Sequence, residues 1–178
     1  MRKIFQKGIE ILKKICYTIG NQKKAKQICF GINQTFWEEI IMIKVIYGAK
    51  GTGKTKMMID AANAAMGVAK GHLIYITDSK RGMYDLEREV RFIDTSDYDI
   101  AGEAALCGFI KGVIAGNHDN EYVFIDGVVR IAGKPVAEMA AFFYMLEKVA
   151  KTDNITITVS VSAAKEELPD FVTKYLEA

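Results

Sequence analysis

From Met42 onward, short apolar runs of strand length alternate with stretches of helical composition. This alternation is typical of a parallel sheet that is covered by helices on both faces. The predicted fold class is therefore α/β, with a mainly parallel sheet of about five strands. The predicted strands are 42–47, 72–77, 90–94, 121–126 and 154–161, and the predicted helices lie near 54–69, 80–89, 101–116, 134–151 and 163–176.

The first 41 residues differ from the rest in charge. They carry eight basic and three acidic side chains, a net charge of +5, so a whole-chain charge of +2 leaves −3 for residues 42–178. We expect residues 1–41 to form a basic extension outside the core and 42–178 to form the folded domain. An amphipathic helix that anchors to a membrane surface or a partner is the alternative, because apolar residues recur there at helical spacing, namely Ile4, Phe5, Ile9, Leu12, Ile15 and Cys16.

Composition narrows the class of protein. Of the 178 residues, 50% are apolar and 26% are charged, as in ordinary globular domains. No apolar stretch has the length that spans a bilayer, and the three cysteines are widely spaced without a C-x-x-C pair. We therefore expect a cytoplasmic protein with no integral membrane segment. The slightly acidic domain lacks a basic stripe, so nucleic-acid binding is not indicated.

A complete phosphate-binding loop of the Walker A type follows the first predicted strand and precedes the first predicted helix. Glycine backbones let N–H groups approach phosphate oxygens, the lysine places a positive charge on the β- and γ-phosphates, and the threonine hydroxyl can coordinate Mg²⁺. This context predicts a nucleoside-triphosphate site formed by Gly48, Ala49, Lys50, Gly51, Thr52, Gly53, Lys54 and Thr55.

A second motif is the run Tyr122-Val123-Phe124-Ile125 that ends in Asp126. A buried parallel strand delivers its last side chain to the sheet edge from which the Walker A loop hangs. Asp126 is therefore predicted to complete the Mg²⁺ site with Thr55, as a Walker B acid. Many ATP hydrolases carry a glutamate at the next position to polarise water, whereas this chain has Gly127.

A general base would then come from a neighbouring strand. Asp78 and Asp94 end the predicted strands 72–77 and 90–94, so both are candidates for a catalytic role beside Lys54. The alternative is that both aspartates cap the helices that follow them. Neither role is decided by the sequence.

Several polar residues near the same sheet edge have open roles. If strand 154–161 lies between the Walker A and Walker B strands, Ser160 can face the γ-phosphate, whereas Ser162 is expected to cap a helix beginning at residue 163. Lys80, Arg81 and Arg130 are the other basic groups placed to touch phosphate, although a solvated surface position is the default for each.

Four stretches resemble a small family of Firmicutes P-loop ATP-binding proteins, whose members are often labelled "twitching motility protein PilT". These stretches are residues 42–55, 76–81, 115–122 and 161–166. The resemblance covers nearly all of 42–178 and none of 1–41. It implies ATP binding rather than pilus retraction, because the chain lacks the glutamate-bearing Walker B region and histidine boxes of the motors.

The sequence thus predicts a Mg²⁺-dependent ATP-binding protein with slow or partner-stimulated hydrolysis. A nucleotide-dependent switch without turnover is the second hypothesis. A small-molecule kinase is a third, although only five arginines are available for the lid such an enzyme needs. A protein partner or a second copy of the chain would supply the stimulation. Preference between ATP and GTP stays open, since no base-reading motif is visible.

Overall fold

A computed structural model of the protein describes residues 42–176. The predicted extension 1–41 and its amphipathic helix lie outside the described residues. A five-stranded sheet forms the centre of the domain. All four strand pairs are parallel, which confirms the predicted α/β class. The strands are β1 (Ile43–Gly48), β2 (His72–Thr77), β3 (Arg91–Asp94), β4 (Asn120–Ile125) and β5 (Thr156–Ser162). They lie side by side in the order β1-β5-β4-β2-β3.

Helices cover both faces of this sheet, as predicted. They are α1 (Lys54–Met66), α2 (Glu103–Ala115), α3 (Val128–Ala132), α4 (Ala140–Asp153) and α5 (Asp170–Thr173). Successive side chains of a strand point to opposite faces. Accordingly, Leu73 and Tyr75 of β2 pack with Met58 of α1, whereas Ile74 and Ile76 join the larger core under α2 and α4. No helix within residues 42–176 has both the length and the apolar character needed to cross a membrane.

The predicted helix at 80–89 is wrong. Only a single 3₁₀ turn, Met83–Asp85, forms there, and it follows Gly82 in a left-handed conformation with φ 77°. The side chain of Asn63 on α1 forms hydrogen bonds with backbone groups of this segment. It donates to the Asp85 carbonyl at 2.8 Å and accepts from the Glu87 N–H at 3.0 Å. These tertiary hydrogen bonds hold an irregular connection across the end of α1.

The predicted helix at 163–176 is also wrong, and so is the cap assigned to Ser162. Strand β5 continues through Ser162, and a 3₁₀ turn at Lys165–Glu167 follows. Pro169, which has no N–H to donate, separates that turn from the four-residue helix α5. The continuous helical pattern of the sequence is therefore divided into two short pieces.

Two further helices differ from the prediction. The helix expected at 134–151 begins only at Ala140, because Pro135 and the 3₁₀ turn Val136–Glu138 precede it. The short helix α3 was not predicted at all. It begins directly after Gly127 and ends at Gly133, and both glycines have positive φ angles, 79° and 67°. Helix α3 places Arg130 one turn away from Asp126.

Candidate functional site

The loop between β1 and α1, where the sequence predicts phosphate binding, contains glycines in a left-handed conformation. Gly51 and Gly53 have φ angles of 89° and 82°, a region that side-chain-bearing residues rarely adopt. Within the loop, the Thr52 hydroxyl donates to the Ala49 carbonyl at 2.9 Å. Lys50 is exposed, and Gly53 forms the N-terminal boundary of α1. The eight predicted loop residues therefore connect the first strand to the first helix as expected.

Lys54, the first residue of α1, folds back over this loop. Its ammonium donates to the carbonyls of Gly48 and Ala49, both at 2.8 Å, and its side chain is buried. Burial lowers the pKa of Lys54, the carboxylate of Asp126 opposes that shift, and Arg130 adds to it. A buried ammonium whose hydrogen-bond acceptors are neutral carbonyls gains Coulombic attraction when it exchanges them for an anion.

Thr55 and Asp126 meet across 71 residues of sequence. The Thr55 hydroxyl donates to Asp126 Oδ2 at 2.8 Å, and Asp126 is 2% exposed immediately after β4. Ser160 of β5 holds the other carboxylate oxygen: its hydroxyl donates to Asp126 Oδ1 at 2.5 Å and accepts from the Gly127 N–H at 2.8 Å. Strand β5 does lie between β1 and β4, so Ser160 is beside the site. Its observed contact is with Asp126.

Tyr75 is a site residue that the sequence analysis missed. It lies on β2 between the rings of Phe92 and Phe124, and it is 1% exposed. Burial raises the pKa of Tyr75 far above its usual range, and the nearby Asp126 carboxylate raises it further. Among the described residues, its hydroxyl is the one buried side-chain polar atom without a hydrogen-bond partner. A tyrosine inside the apolar run His72–Thr77 was the available signal.

The two predicted candidates for a general base have different surroundings. Asp78 follows β2, the strand next to β4, and forms a two-pronged ion pair with Arg130 at 2.6 and 2.9 Å. Asp94 ends β3, one strand further out, and accepts from the Ser96 N–H at 2.9 Å and its hydroxyl at 2.5 Å. Asp94 therefore caps the 3₁₀ turn Thr95–Tyr98, not the helix predicted at 101–116, which begins after Gly102. Asp78 makes no cap; it pairs with a cation.

The other basic groups at this edge also differ from one another. Lys80 pairs with Asp97 at 2.8 Å on the exposed side of β3, and Arg81 is exposed. The side chain of Arg130 is 49% exposed and lies against Gly127, directly beside Asp126. The expected solvent-exposed surface position therefore describes Lys80 and Arg81. Arg130 is only partly exposed and also contacts Asp78 and Gly127.

The oxygen groups here fit a magnesium ion. Mg²⁺ prefers oxygen ligands and commonly takes one or two protein groups together with water and substrate phosphates. Thr55 and Asp126 supply a hydroxyl and a carboxylate, and the orphaned Tyr75 hydroxyl lies near them. Within residues 42–176, no cluster of three or more His, Cys, Asp or Glu side chains could hold a metal by itself. The donor set therefore suits an ion that arrives with a phosphate ligand.

The parallel sheet, the glycine loop before α1 and the acid after β4 together define a P-loop protein of the α/β class. No family model matches the chain, and no curated protein does. Among solved structures, it is similar to the flagellar accessory protein FlaH from Methanocaldococcus jannaschii, with 14% sequence identity and a TM-score of 0.45. The match covers 74% of this chain and 65% of the FlaH chain, so this chain spans just under two thirds of FlaH.

Proposed function

We propose that the protein binds Mg²⁺·ATP and hydrolyses it slowly, or only when a partner stimulates it. The observation that carries this proposal is the direct contact between Thr55 of the glycine loop and Asp126. These two residues are 71 positions apart in the sequence. Their side chains meet at 2.8 Å because the carboxyl ends of the parallel strands β1 and β4 lie at the same edge of the sheet. The groups that would bind phosphate and those that would bind the metal are thereby adjacent.

Each residue has a distinct role in this proposal. The N–H groups of residues 48–53 would cradle the phosphates, and Lys54 would exchange the two loop carbonyls for β- and γ-phosphate oxygens. Thr55 and Asp126 would hold Mg²⁺, which neutralises the charge that develops on the phosphates. The Gly127 N–H donates to the Ser160 hydroxyl, and that hydroxyl holds Asp126 Oδ1 so that Oδ2 stays turned toward Thr55.

Slow turnover is expected because, among residues 42–176, each candidate base near Asp126 already has a partner. Gly127 occupies the position of the usual water-polarising glutamate, Asp78 is paired with Arg130, and Asp94 is occupied by Ser96. Asp78 is the better base candidate, since its strand β2 adjoins β4 whereas β3 does not. It can accept a proton only after Arg130 leaves it. A protein partner or a second copy of the chain could trigger that release.

The decisive experiment measures nucleotide binding and Mg²⁺-dependent phosphate release by the full chain. Lys54→Ala should weaken ATP binding about tenfold to a hundredfold, the loss expected for a buried charge-assisted contact. Lys56→Ala removes an exposed lysine of α1 that lies outside the loop, and it is the matched control. Wild-type protein that binds no nucleoside triphosphate, or Lys54→Ala protein that binds as tightly as wild type, contradicts the proposal.

A switch that binds ATP without turnover is the second candidate, and the occupied state of Asp78 and Asp94 favours it. Asp78→Asn and Asp94→Asn separate the two candidates. A hydrolase with Asp78 as base loses phosphate release in Asp78→Asn while ATP binding persists. A switch shows negligible release in the wild type and in both variants at every protein concentration.

The finer assignments belong to the same proposal. Membership of the small Firmicutes ATP-binding family and a cytoplasmic location are inferred from the sequence resemblance and composition. Preference for adenine is inferred from that resemblance alone. Competition between ATP and GTP for the wild-type site measures it directly, and a kinase acting on a small acceptor would show phosphate transfer in place of phosphate release.

A further inference from the structure

The ion pair between Asp78 and Arg130 joins the tips of two adjacent strands beside the candidate metal site. Asp78 follows β2, and Arg130 lies in α3, which follows β4. The guanidinium donates through Nε to Asp78 Oδ2 at 2.9 Å and through Nη2 to Oδ1 at 2.6 Å. Side-chain exposure is 49% for Arg130 and 27% for Asp78, so the pair is accessible from the nucleotide edge of the sheet.

The Arg130 guanidinium can lie against Gly127 because this residue has no side chain. A Cβ built on Gly127 would collide with Nη2 and Cζ of Arg130. The guanidinium therefore fills the space in which the side chain of the residue after Asp126 would lie. In many ATP hydrolases that space holds the glutamate that faces the attacking water. Here a positive group lies at the same place.

Arg130 also interacts electrostatically with Asp126 and Lys54. Its hydrogen bonds to Asp78 raise the pKa of Arg130, and Asp126 and Tyr75 add to that shift. Conversely, the charge of Arg130 lowers the pKa of Lys54. Two cations that disfavour each other are both stabilised by an anion that binds near them, and a terminal phosphate is such an anion.

We propose that Arg130 contacts the γ-phosphate and makes the protein discriminate between nucleoside triphosphate and diphosphate. Without a γ-phosphate, Asp78 holds the guanidinium beside Gly127. When a triphosphate binds, Arg130 exchanges the Asp78 carboxylate for the terminal phosphate, because both anions accept the same two-pronged donor. This inference rests on the proposed ATP site and assigns recognition of the γ-phosphate to Arg130.

The exchange has a structural consequence at β2. Asp78 loses its cation when Arg130 turns to the phosphate, so the carboxylate is free only in the triphosphate state. The irregular segment that begins at Ser79 then loses one attachment to α3. The nucleotide state is thereby transmitted from the γ-phosphate to an exposed connection on the protein surface.

The test compares the affinities of the full chain for ATP and for ADP in the presence of Mg²⁺. Arg130→Ala should weaken ATP binding about tenfold to a hundredfold while ADP binding changes less than about threefold, as expected for one lost charge-assisted contact. Arg130→Lys keeps the charge without the fork and should restore only part of the ATP preference. Arg81→Ala, an exposed arginine after β2, is the matched control and should alter neither affinity.

Asp78→Asn provides an independent readout, because it releases the guanidinium without removing it. That variant should raise the preference for ATP over ADP several-fold. Equal losses of ATP and ADP affinity in Arg130→Ala, or no loss at all, would overturn the inference while the ATP site stands. Wild-type protein that binds neither nucleotide would overturn the proposed function as well.

Discussion

The Ser160 hydroxyl lies 2.5 Å from Asp126 Oδ1 in the buried centre of the sheet, and it simultaneously accepts the Gly127 N–H at 2.8 Å. One side chain thus satisfies one carboxylate oxygen and one backbone donor that would otherwise be buried without partners. Because Oδ1 is engaged in this way, Oδ2 is the oxygen left for Thr55 and for a metal ion. The orientation of the acid is set by the strand next to it.

Ser160→Ala should therefore destabilise the protein by about 1–3 kcal/mol, since it leaves two buried polar groups unsatisfied. It should also reduce the stabilisation that Mg²⁺·ATP gives, because the Asp126 carboxylate loses its fixed orientation. Thermal unfolding with and without Mg²⁺·ATP measures both effects. Ser162→Ala, at the end of the same strand, is the control. Equal unfolding temperatures for the two variants would contradict this role.

Gly127→Ala should destabilise the protein by about 1–2 kcal/mol, because its φ of 79° is left-handed and its Cβ would collide with Arg130. The collision and the backbone strain can be separated by a double-mutant cycle with Arg130→Ala. Chemical denaturation should show a smaller cost for Gly127→Ala in that background. Additive losses would mean that the guanidinium does not pack against Gly127.

Gly112→Ala is the matched control for this cycle. Gly112 lies inside helix α2, and a Cβ there would meet no atom within 4 Å. The same substitution should therefore stabilise the protein by about 0.5–1 kcal/mol. Opposite signs for the two glycines are the expected result.

Glu147 is expected to govern acid stability. Lys151, Lys174 and Tyr175 donate to its carboxylate and hold the pKa of Glu147 at about 2, below its usual 4.5. A carboxyl group with a lowered pKa contributes stability that is complete above pH 4.5 and lost as the pH falls toward 2. Glu147→Gln should cost about 0.5–1 kcal/mol at neutral pH, because solvent screens these partly exposed pairs.

Denaturant unfolding of wild type and Glu147→Gln at several pH values checks this expectation. The difference between them should vanish near pH 2. Glu166→Gln, an exposed carboxylate after β5, serves as the control and should leave the pH profile unchanged. A difference between wild type and Glu147→Gln that persists at pH 2 would sink the assignment.

Phe143 should anchor the C-terminal segment to α4. It is 1% exposed, and its ring lies 5.8 Å from that of Phe171 and 6.1 Å from that of Tyr175. Phe143→Ala should cost about 3–5 kcal/mol by leaving a cavity. Its neighbour Tyr144 is 71% exposed, so Tyr144→Ala should change stability by less than about 0.5 kcal/mol. Urea titrations of both variants provide the comparison, and similar losses would be contrary to the structure.

The strand pattern and the glycine loop could be predicted from the sequence because their causes are local. Buried parallel strands require apolar runs, and the tight loop between Tyr47 and Lys54 requires glycines at fixed positions. Asp126 could be placed at the same edge because parallel strands align their carboxyl ends. These inferences needed no knowledge of which strands are neighbours.

The partners of the polar side chains could not be predicted, since they depend on sheet order. Ser160 contacts Asp126 only because β5 lies beside β4, and Arg130 reaches Asp78 only because β2 lies on the other side of β4. The helices at 80–89 and 163–176 failed for a related reason. Asn63 replaces backbone bonds in one segment, and Pro169 interrupts the other.

Strand β5 follows β1 and β4 in the sequence but lies between them in the sheet. Ile157 of β5 is paired with Ile43 of β1 on one side and with Val123 of β4 on the other. Until β5 inserts, the glycine loop and Asp126 belong to separate parts of an incomplete sheet. Such long-range pairing is slow to form. A nucleotide at the proposed site would therefore stabilise only molecules in which β5 is in place, so its affinity would report the insertion of β5 as well as occupancy of the site.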